Sequence, residues 1–396
     1  MWDRFSPAEL ERRFALTRNL MGERDLTALL VFGTSATSRA SMANPFWLTN
    51  HLDRHHCYVV VPLDAGRETA LYTGLTNHVP NAREVSDVPV IEWGGYDPAE
   101  RVAARLRELG AAHARIGLVG ANATFSMGMP YQHHEQLRSL LPDAELVDVT
   151  APFQRLRLVK SDEEIEWLRR AAALTDDAMR AVAEAAVPGT SEAELVAAGE
   201  AAYRAQGGIP RIMFLRSMSM NAPTGCLPAQ NPSGRRLHPG DVVITELSAS
   251  YWGYTGQIHR PIFVDAEPTA EWARLVEVAR EAYVAIAGAL RPGATELDAL
   301  AAAEPIREAG YAIYDDLIHG YGVDIQPPVV DRLQFADPPS EPRWTLQGGM
   351  TIVIQPNPVT PDERMGLQLG ALTVVRDGGA ESLHAIPFDA LVGGPC

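Results

Sequence analysis

At 396 residues the chain exceeds what one ordinary hydrophobic core organises, so two domains are expected. A formal charge of −16 repels phosphate backbones and anionic lipid, which weighs against nucleic-acid or membrane-surface roles. Cys57, Cys226 and Cys396 offer neither a disulfide framework nor zinc spacing; with no secretory leader pattern and no apolar run long enough to span a bilayer, a cytoplasmic location is expected.

Residues 1–155 read as an α/β domain. The pattern over 7–20 predicts an amphipathic helix with Ser6 as its N-cap. Residues 28–32 and 58–62 are short buried strands, 100–109 is helical, and 115–120 is another strand. Strands alternating with helices favour a layered arrangement. Between the first two strands lies a polar run, Asn50-His51-Leu52-Asp53-Arg54-His55-His56, whose histidines lack a familiar metal-ligand spacing.

Residues 156–396 read as an α+β domain. It opens with a long helix in which Ser161 and Glu164 stand at capping-box spacing and Ile165, Leu168, Ala172 and Ala178 recur at helical spacing. Further helices are expected over 191–205, 269–290 and 296–309, punctuated by Gly189, Gly207 and Arg291-Pro292-Gly293. Extended runs fall at 211–215, 242–247, 261–264, 351–354 and 372–375. No internal repeat stands out.

Within this second half several landmarks come in a fixed order: Arg236-Leu-His-Pro-Gly-Asp241, then Glu246 and Gln257 flanking Gly253-Tyr254, then Ile258-His259-Arg260, His319-Gly-Tyr-Gly322, Gly349-Met350 and Gln355-Pro356. Together they resemble the pita-bread superfamily of prolidase, aminopeptidase P, methionine aminopeptidase and creatinase (peptidase family M24). The resemblance covers about 155–392, and the first domain more loosely. It implies the creatinase/aminopeptidase fold, an α/β N-terminal domain followed by an α+β pita-bread domain. Members of the peptidase kind hold two divalent ions with two aspartates, a histidine and two glutamates. By position these become Glu246, Gln257, His319, Gln355 and Gly370, so amides or a glycine replace three of five ligands. Two hard cations need anionic oxygens, so no metal and no cofactor are expected. Creatinase is the metal-free precedent. Its acid–base histidine, in a His-Asn-Pro setting, corresponds to Gln230, and its glutamate before an arginine corresponds to His259. An amide cannot cycle a proton.

The residue types then suggest roles. His319 and His259 are candidates for proton transfer, with Glu246 orienting one of them; both imidazoles also read as hydrogen-bonded core residues. Gln230, Gln257, Gln326 and Gln355 would give a neutral polar lining, or simply fill a vacated metal cavity. Asp324 is ambiguous in strand parity. Cys226, near Gln230, is a candidate nucleophile. Creatinase-like enzymes lend an arginine and an aromatic to a neighbouring subunit's site; Arg54 and Trp47 stand where such residues occur, and Arg260 is a second anion-binding candidate. The expectation is a homodimeric, metal-independent hydrolase cleaving a C–N bond in a small polar metabolite, as creatinase does. A lyase, a non-catalytic small-molecule binder and an Xaa-Pro metallopeptidase remain alternatives.

Overall fold

The structure is a computed structural model describing residues 3–35, 39–121 and 127–395, so Cys396 lies outside the described residues. The chain separates into two compact units, Met1–Arg157 and Leu158–Cys396. Among the described residues no helix is long and apolar enough to cross a membrane.

In the first unit Ser6 Oγ accepts the Glu9 amide at 3.1 Å and opens a helix over Pro7–Glu23. The strands are β1 (Ala28–Thr34), β2 (His56–Pro62), β3 (Ala70–Thr73), β4 (Val90–Trp93), β5 (Arg115–Val119) and β6 (Glu145–Asp148). Among the described residues they form a mixed sheet in the order β4-β3-β2-β1-β5-β6. Every residue of β1 is buried because both sheet faces are covered. Leu29 and Val31 pack with Met21, Trp47 and Phe153, whereas Leu30 and Phe32 pack with Val102, Leu106 and Leu137.

The second unit begins with the expected capping box at Ser161 and Glu164, followed by the helix Asp162–Ala185. Its strands are β7 (Ile209–Ser219), β8 (Asp241–Tyr251), β9 (Tyr254–Thr255), β10 (Ile258–His259), β11 (Ile262–Val264), β12 (Ala312–Ile313), β13 (Ile318–Tyr321), β14 (Ile325–Val330), β15 (Thr351–Ile354), β16 (Pro358–Val359), β17 (Gly370–Arg376), β18 (Gly379–Ser382) and β19 (Leu391–Val392). The main path among the described residues runs β14-β13-β15-β17-β10-β8-β11-β19, with β7 and β9 also on β8 and β18 on β17. Leu247, Ala249 and Ile258 pack in the core that the helix Asp162–Ala185 shares. Strand alternation therefore turns Glu246, Gln257 and His259 to the opposite face. The helix expected over 296–309 divides into Glu296–Ala302 and Glu304–Glu308, because Pro305 supplies no amide hydrogen to continue the first.

Two halves of this unit share a plan that the sequence analysis does not detect. Pro188-Gly-Thr-Ser-Glu-Ala-Glu194 and Pro292-Gly-Ala-Thr-Glu-Leu-Asp298 each turn on a positive-φ glycine and close a capping box, at Ser191/Glu194 and Thr295/Asp298. Leu237 N donates to Thr190 O, and Leu346 N to Ala294 O, both at 2.8 Å. Buried Glu192 accepts from the amides of Ser217 and Ser233, and buried Glu296 from those of Arg343 and Trp344. Along these segments Pro, Gly, a Ser/Thr cap, Glu and an acidic N3 residue recur, and so does a set of backbone donors around one carboxylate.

Burial alone would raise the Glu192 pKa, but the hydroxyls and amides of Ser217 and Ser233 outweigh it and hold the carboxyl below its ordinary value. A folded-state pKa below the unfolded one gives stability that is complete above the unfolded value of 4.5 and is lost as pH falls through the folded value. Glu192→Ala strands those donors, so it should cost about 3 kcal/mol at pH 7 in urea unfolding. That difference should shrink below about pH 4.5; a pH-independent difference would show that the charge is irrelevant.

Candidate active site

The turn between β8 and β10 positions the first residues of the site. Trp252 and Gly253 take positive φ, Thr255 pairs with Ser250, and the Tyr254 hydroxyl donates to Glu164 Oε1 at 2.6 Å, tying the turn to the first helix of the unit. A Cβ on Gly256 would lie 2.7 Å from Ala171 O and Ala172 Cα, so only glycine lets the strand press on the helix here. Ile258 then pairs with Leu247, and Gln257 comes beside Glu246.

Gln257 Nε2 faces three acceptors, Glu246 Oε1 at 3.0 Å, His259 Nε2 at 3.3 Å and Gln355 Oε1 at 3.4 Å. Gln355 Nε2 donates to Asp316 O at 3.0 Å. His319 lies at a β-bulge in β13, where its Nδ1 sits 3.2 Å from Gly320 O. Proton donation to that carbonyl leaves Nε2 as the ring's acceptor. Just before β13, Asn357 holds the loop in place: its Oδ1 accepts the amides of Tyr314 and Asp315 at 2.9 Å, and its Nδ2 donates to Asp316 O and Gln355 O at 3.0 Å. This presents Asp315 and Asp316 beside the cluster, with Gln368 Nε2 donating to Asp315 Oδ2 at 3.0 Å.

A model of metallopeptidase family M24 matches residues 166–377, and a model of the creatinase/prolidase N-terminal domain matches 13–159. The chain belongs to metallopeptidase family M24. It is 26% identical over 330 residues to an Xaa-Pro dipeptidase of Pyrococcus furiosus, spanning 82% of this chain and 86% of that one. It is 29% identical over 295 residues to a probable dipeptidase PepE of Mycobacterium bovis, spanning 72% and 73%. The structure of an X-Pro aminopeptidase from Thermotoga maritima superposes with a TM-score of 0.80 at 19% identity, covering 96% of this chain and 99% of that one, which shows the shared two-domain pita-bread fold. Membership assigns hydrolysis as the reaction class of the scaffold.

The side chains of this M24 member do not fit the dinuclear metal centre of the family's peptidases. The five ligand positions offer one carboxyl, one imidazole, two amides and a glycine. Burial, helped by the nearby charges of Asp315 and Asp316 and opposed by Arg211, pushes the Glu246 carboxyl up to about 8, so the single acid is largely protonated near neutrality. Among the described residues no group of three or more His, Cys, Asp or Glu is arranged to hold a metal ion. At Gly370 a Cβ would sit 2.8 Å from Gln355 Cα and closer still to the Ile354 carbonyl oxygen, leaving no space for a ligand side chain.

The same burial sets the imidazoles. It pushes His319 down to about 4 against hydrogen bonds from Gly320 and Gln355, and lowers His259 well below its ordinary value, with the His319 and Arg260 charges adding to the effect. Both rings are therefore neutral at pH 7. Asp316 is pushed up to about 7 by burial and by Asp315 and Asp331.

The remaining expected residues fall elsewhere. Gln326 and Asp324 are buried beside Lys160, which donates to Gln326 Oε1 at 2.7 Å, while Gln326 Nε2 donates to Asp324 Oδ1 at 3.2 Å. Gln230 is exposed in the loop after β7. Cys226 is only 7% exposed and burial raises its pKa, the reverse of what a thiolate nucleophile needs. Arg260 is 1% exposed and donates to the backbone carbonyls of His259, Gly370 and Pro387, so it is a strand clamp rather than an anion site. Trp47 is 1% exposed and edge-on to Phe153 at 5.7 Å, a core residue of its own unit; Arg54 is exposed in the same unit.

Sequence reasoning missed Asp315, Asp316, Gln368 and Arg211. Arg211, on β7, donates Nε to the Tyr321 hydroxyl at 3.4 Å, and its charge acts on both Glu246 and His319. The available signal was the pair of aspartates three and four residues before His319.

Proposed function

We propose that this M24 chain is a metal-independent hydrolase of a C–N bond in a small, polar, amino-acid-like substrate. What carries the reading is Glu246, a protonated carboxyl that accepts from the Gln257 amide at a position where a metal-dependent site needs a charged ligand. Glu246 donates its proton to the leaving nitrogen as general acid. His319, whose Nδ1 is engaged by Gly320, takes the proton of the attacking water on Nε2. His259 fixes the amide of Gln257 and is a positioning residue. The division of labour thus differs from two imidazoles sharing the proton work, because burial keeps both rings neutral. Arg211 holds the substrate carboxylate, a task for which its planar donor set is suited. The Xaa-Pro dipeptidase among the relatives supports including an Xaa-Pro bond in the substrate class. The reading includes a cytoplasmic homodimer, which sedimentation equilibrium checks for its dimeric part.

The test is turnover of Xaa-Pro dipeptides and of amido and guanidino acids by chelator-treated protein in ¹⁸O-labelled water. One solvent oxygen in the product is expected. Cleavage without label means a lyase, and binding of the panel with no product means a non-catalytic binder; either result discards the proposal.

A further inference from the structure

Three imidazoles stand together at the start of β2 in the first unit. The His56 ring lies 4.6 Å from that of His55 and 5.7 Å from that of His133, and its Nε2 is buried without a hydrogen-bond partner. His133 comes from the first turn of the helix Tyr131–Leu140, where the helix dipole disfavours a cation. Its Nδ1 meets the Tyr58 hydroxyl at 2.5 Å. Burial raises the Tyr58 pKa and keeps the phenol protonated, so the hydroxyl donates and the ring nitrogen accepts. None of the nearby acids pairs with a ring of this trio. Asp53 Oδ1 takes His78 Nδ1 at 2.6 Å and the His55 amide at 2.9 Å, and Asp53 Oδ2 takes His51 Nε2 at 3.2 Å. Asp97 Oδ2 takes Gln136 Nε2 at 2.8 Å, and its Oδ1 has no partner. The charge of Asp53 favours a positive His56 and that of Asp97 a positive His133, but both are outweighed. Burial, then the His55 and His133 charges, pushes His56 down to about 4, and burial lowers His133 as well.

The helix that carries His133 is lightly held. Of its 10 residues only Leu137 is buried, and the bonds Tyr58–His133 and Gln136–Asp97 tie it to β2 and to the start of the helix Pro98–Glu108. We propose that His55, His56 and His133 form an acid-triggered release for the helix Tyr131–Leu140: once these rings gain protons, like charges in ring contact push the helix off β2. Protonation also puts a hydrogen on the His133 nitrogen that accepts from Tyr58, so the bond that anchors the first turn cannot persist as it stands. Imidazole is the side chain suited to such a sensor. A base whose folded-state pKa is lowered supports the closed form fully above its ordinary value of 6.5, and that support is lost as pH falls toward the folded value. With values of 6.5 released and about 4 closed, His56 alone favours release at pH 5 by about 30-fold over pH 7.5.

The test is hydrogen exchange of the full chain, read by mass spectrometry at pH 7.5 and pH 5 and corrected for intrinsic rates. Protection over Tyr131–Leu140 should fall by about 30-fold or more at pH 5, while the helix Asp162–Ala185 of the second unit keeps its protection. His56→Gln, checked as folded at pH 7.5 by circular dichroism, should remove most of the fall, and His56→Gln combined with His133→Gln should abolish it. In the parent chain the His56 ring should titrate well below its ordinary value of 6.5 when followed by NMR. Protection over Tyr131–Leu140 that ignores pH, a loss shared equally by both units, or a fall of parent size in the variants would overturn the proposal. If neither variant folds, the NMR midpoint of the parent decides, and a His56 midpoint at 6.5 or above overturns it.

Discussion

Glu246→Gln should lower kcat by about 10²- to 10⁴-fold while changing KM little, the range expected when a general acid is removed. The substitution is nearly isosteric, and the new amide oxygen still accepts from Gln257 Nε2, so the hydrogen bond that positions this residue is retained. What disappears is the transferable proton. A carboxyl held near pKa 8 by burial and by Asp315 and Asp316 is acidic and protonated at neutral pH where it meets Gln257, whereas neither neutral imidazole is a ready donor. His259→Gln should act differently. It disturbs the seat of Gln257 without removing a proton carrier, and should raise KM more than it lowers kcat. Steady-state kinetics on a substrate identified in the labelled-water panel separates the two. Turnover of Glu246→Gln within a few-fold of the parent would mean that the carboxyl carries no proton in the rate-limiting step.

Gly370→Glu, which writes the family's final metal ligand back into the chain, should destabilise the protein instead of restoring a metal site. The obstacle is backbone: a Cβ at this position overlaps the Ile354 carbonyl oxygen and lies 2.8 Å from Gln355 Cα. Neither can rotate away as a side-chain tip can. Here β17 pairs with β10 on one side, His259 opposite Gly370, and with β15 on the other, Ile354 opposite Ala371. Strand separation is therefore needed to admit even a methyl group. A cost of about 3 kcal/mol or more is expected, equivalent to about 6–12 °C in Tm for a unit of this size. Thermal unfolding of Gly370→Ala and Gly370→Glu reads it directly. Parent-like stability for both would show that the two strands are less closely apposed than described.

The fold was legible in the sequence to a greater depth than the site. Strand β8, the turn at Gly253 and the pairing that sets Gln257 beside Glu246 follow from apolar alternation and one glycine-rich turn, because local sequence controls both. Loss of charge at positions 257, 355 and 370 is equally a matter of residue identity. Residues whose roles depend on distant partners were not legible. Arg260 looks like an anion ligand until its guanidinium is found on three carbonyls, two of them from Gly370 and Pro387, more than a hundred residues away. Trp47 looks available until Phe153 and the first helix enclose it. Asp315 and Asp316 read as ordinary loop acids, because Asn357, Gln355 and Gln368, in different segments, hold that loop at the cluster. The duplicated Glu192 and Glu296 hubs escaped for a related reason, since their partners are amides of distant segments and the Pro-Gly-x-Ser/Thr-Glu motif that the halves share spans only a few residues.

The proposed chemistry requires that Glu246, Gln257 and Gln355 form a hydrogen-bonded acid–amide cluster instead of a cage for two cations. The most direct measurement is elemental analysis of the purified protein after incubation with manganese, cobalt or zinc, paired with turnover before and after chelation. The account predicts well under one ion per chain and unchanged turnover. Close to two ions per chain, with activity that vanishes on chelation and returns when metal is restored, would contradict it.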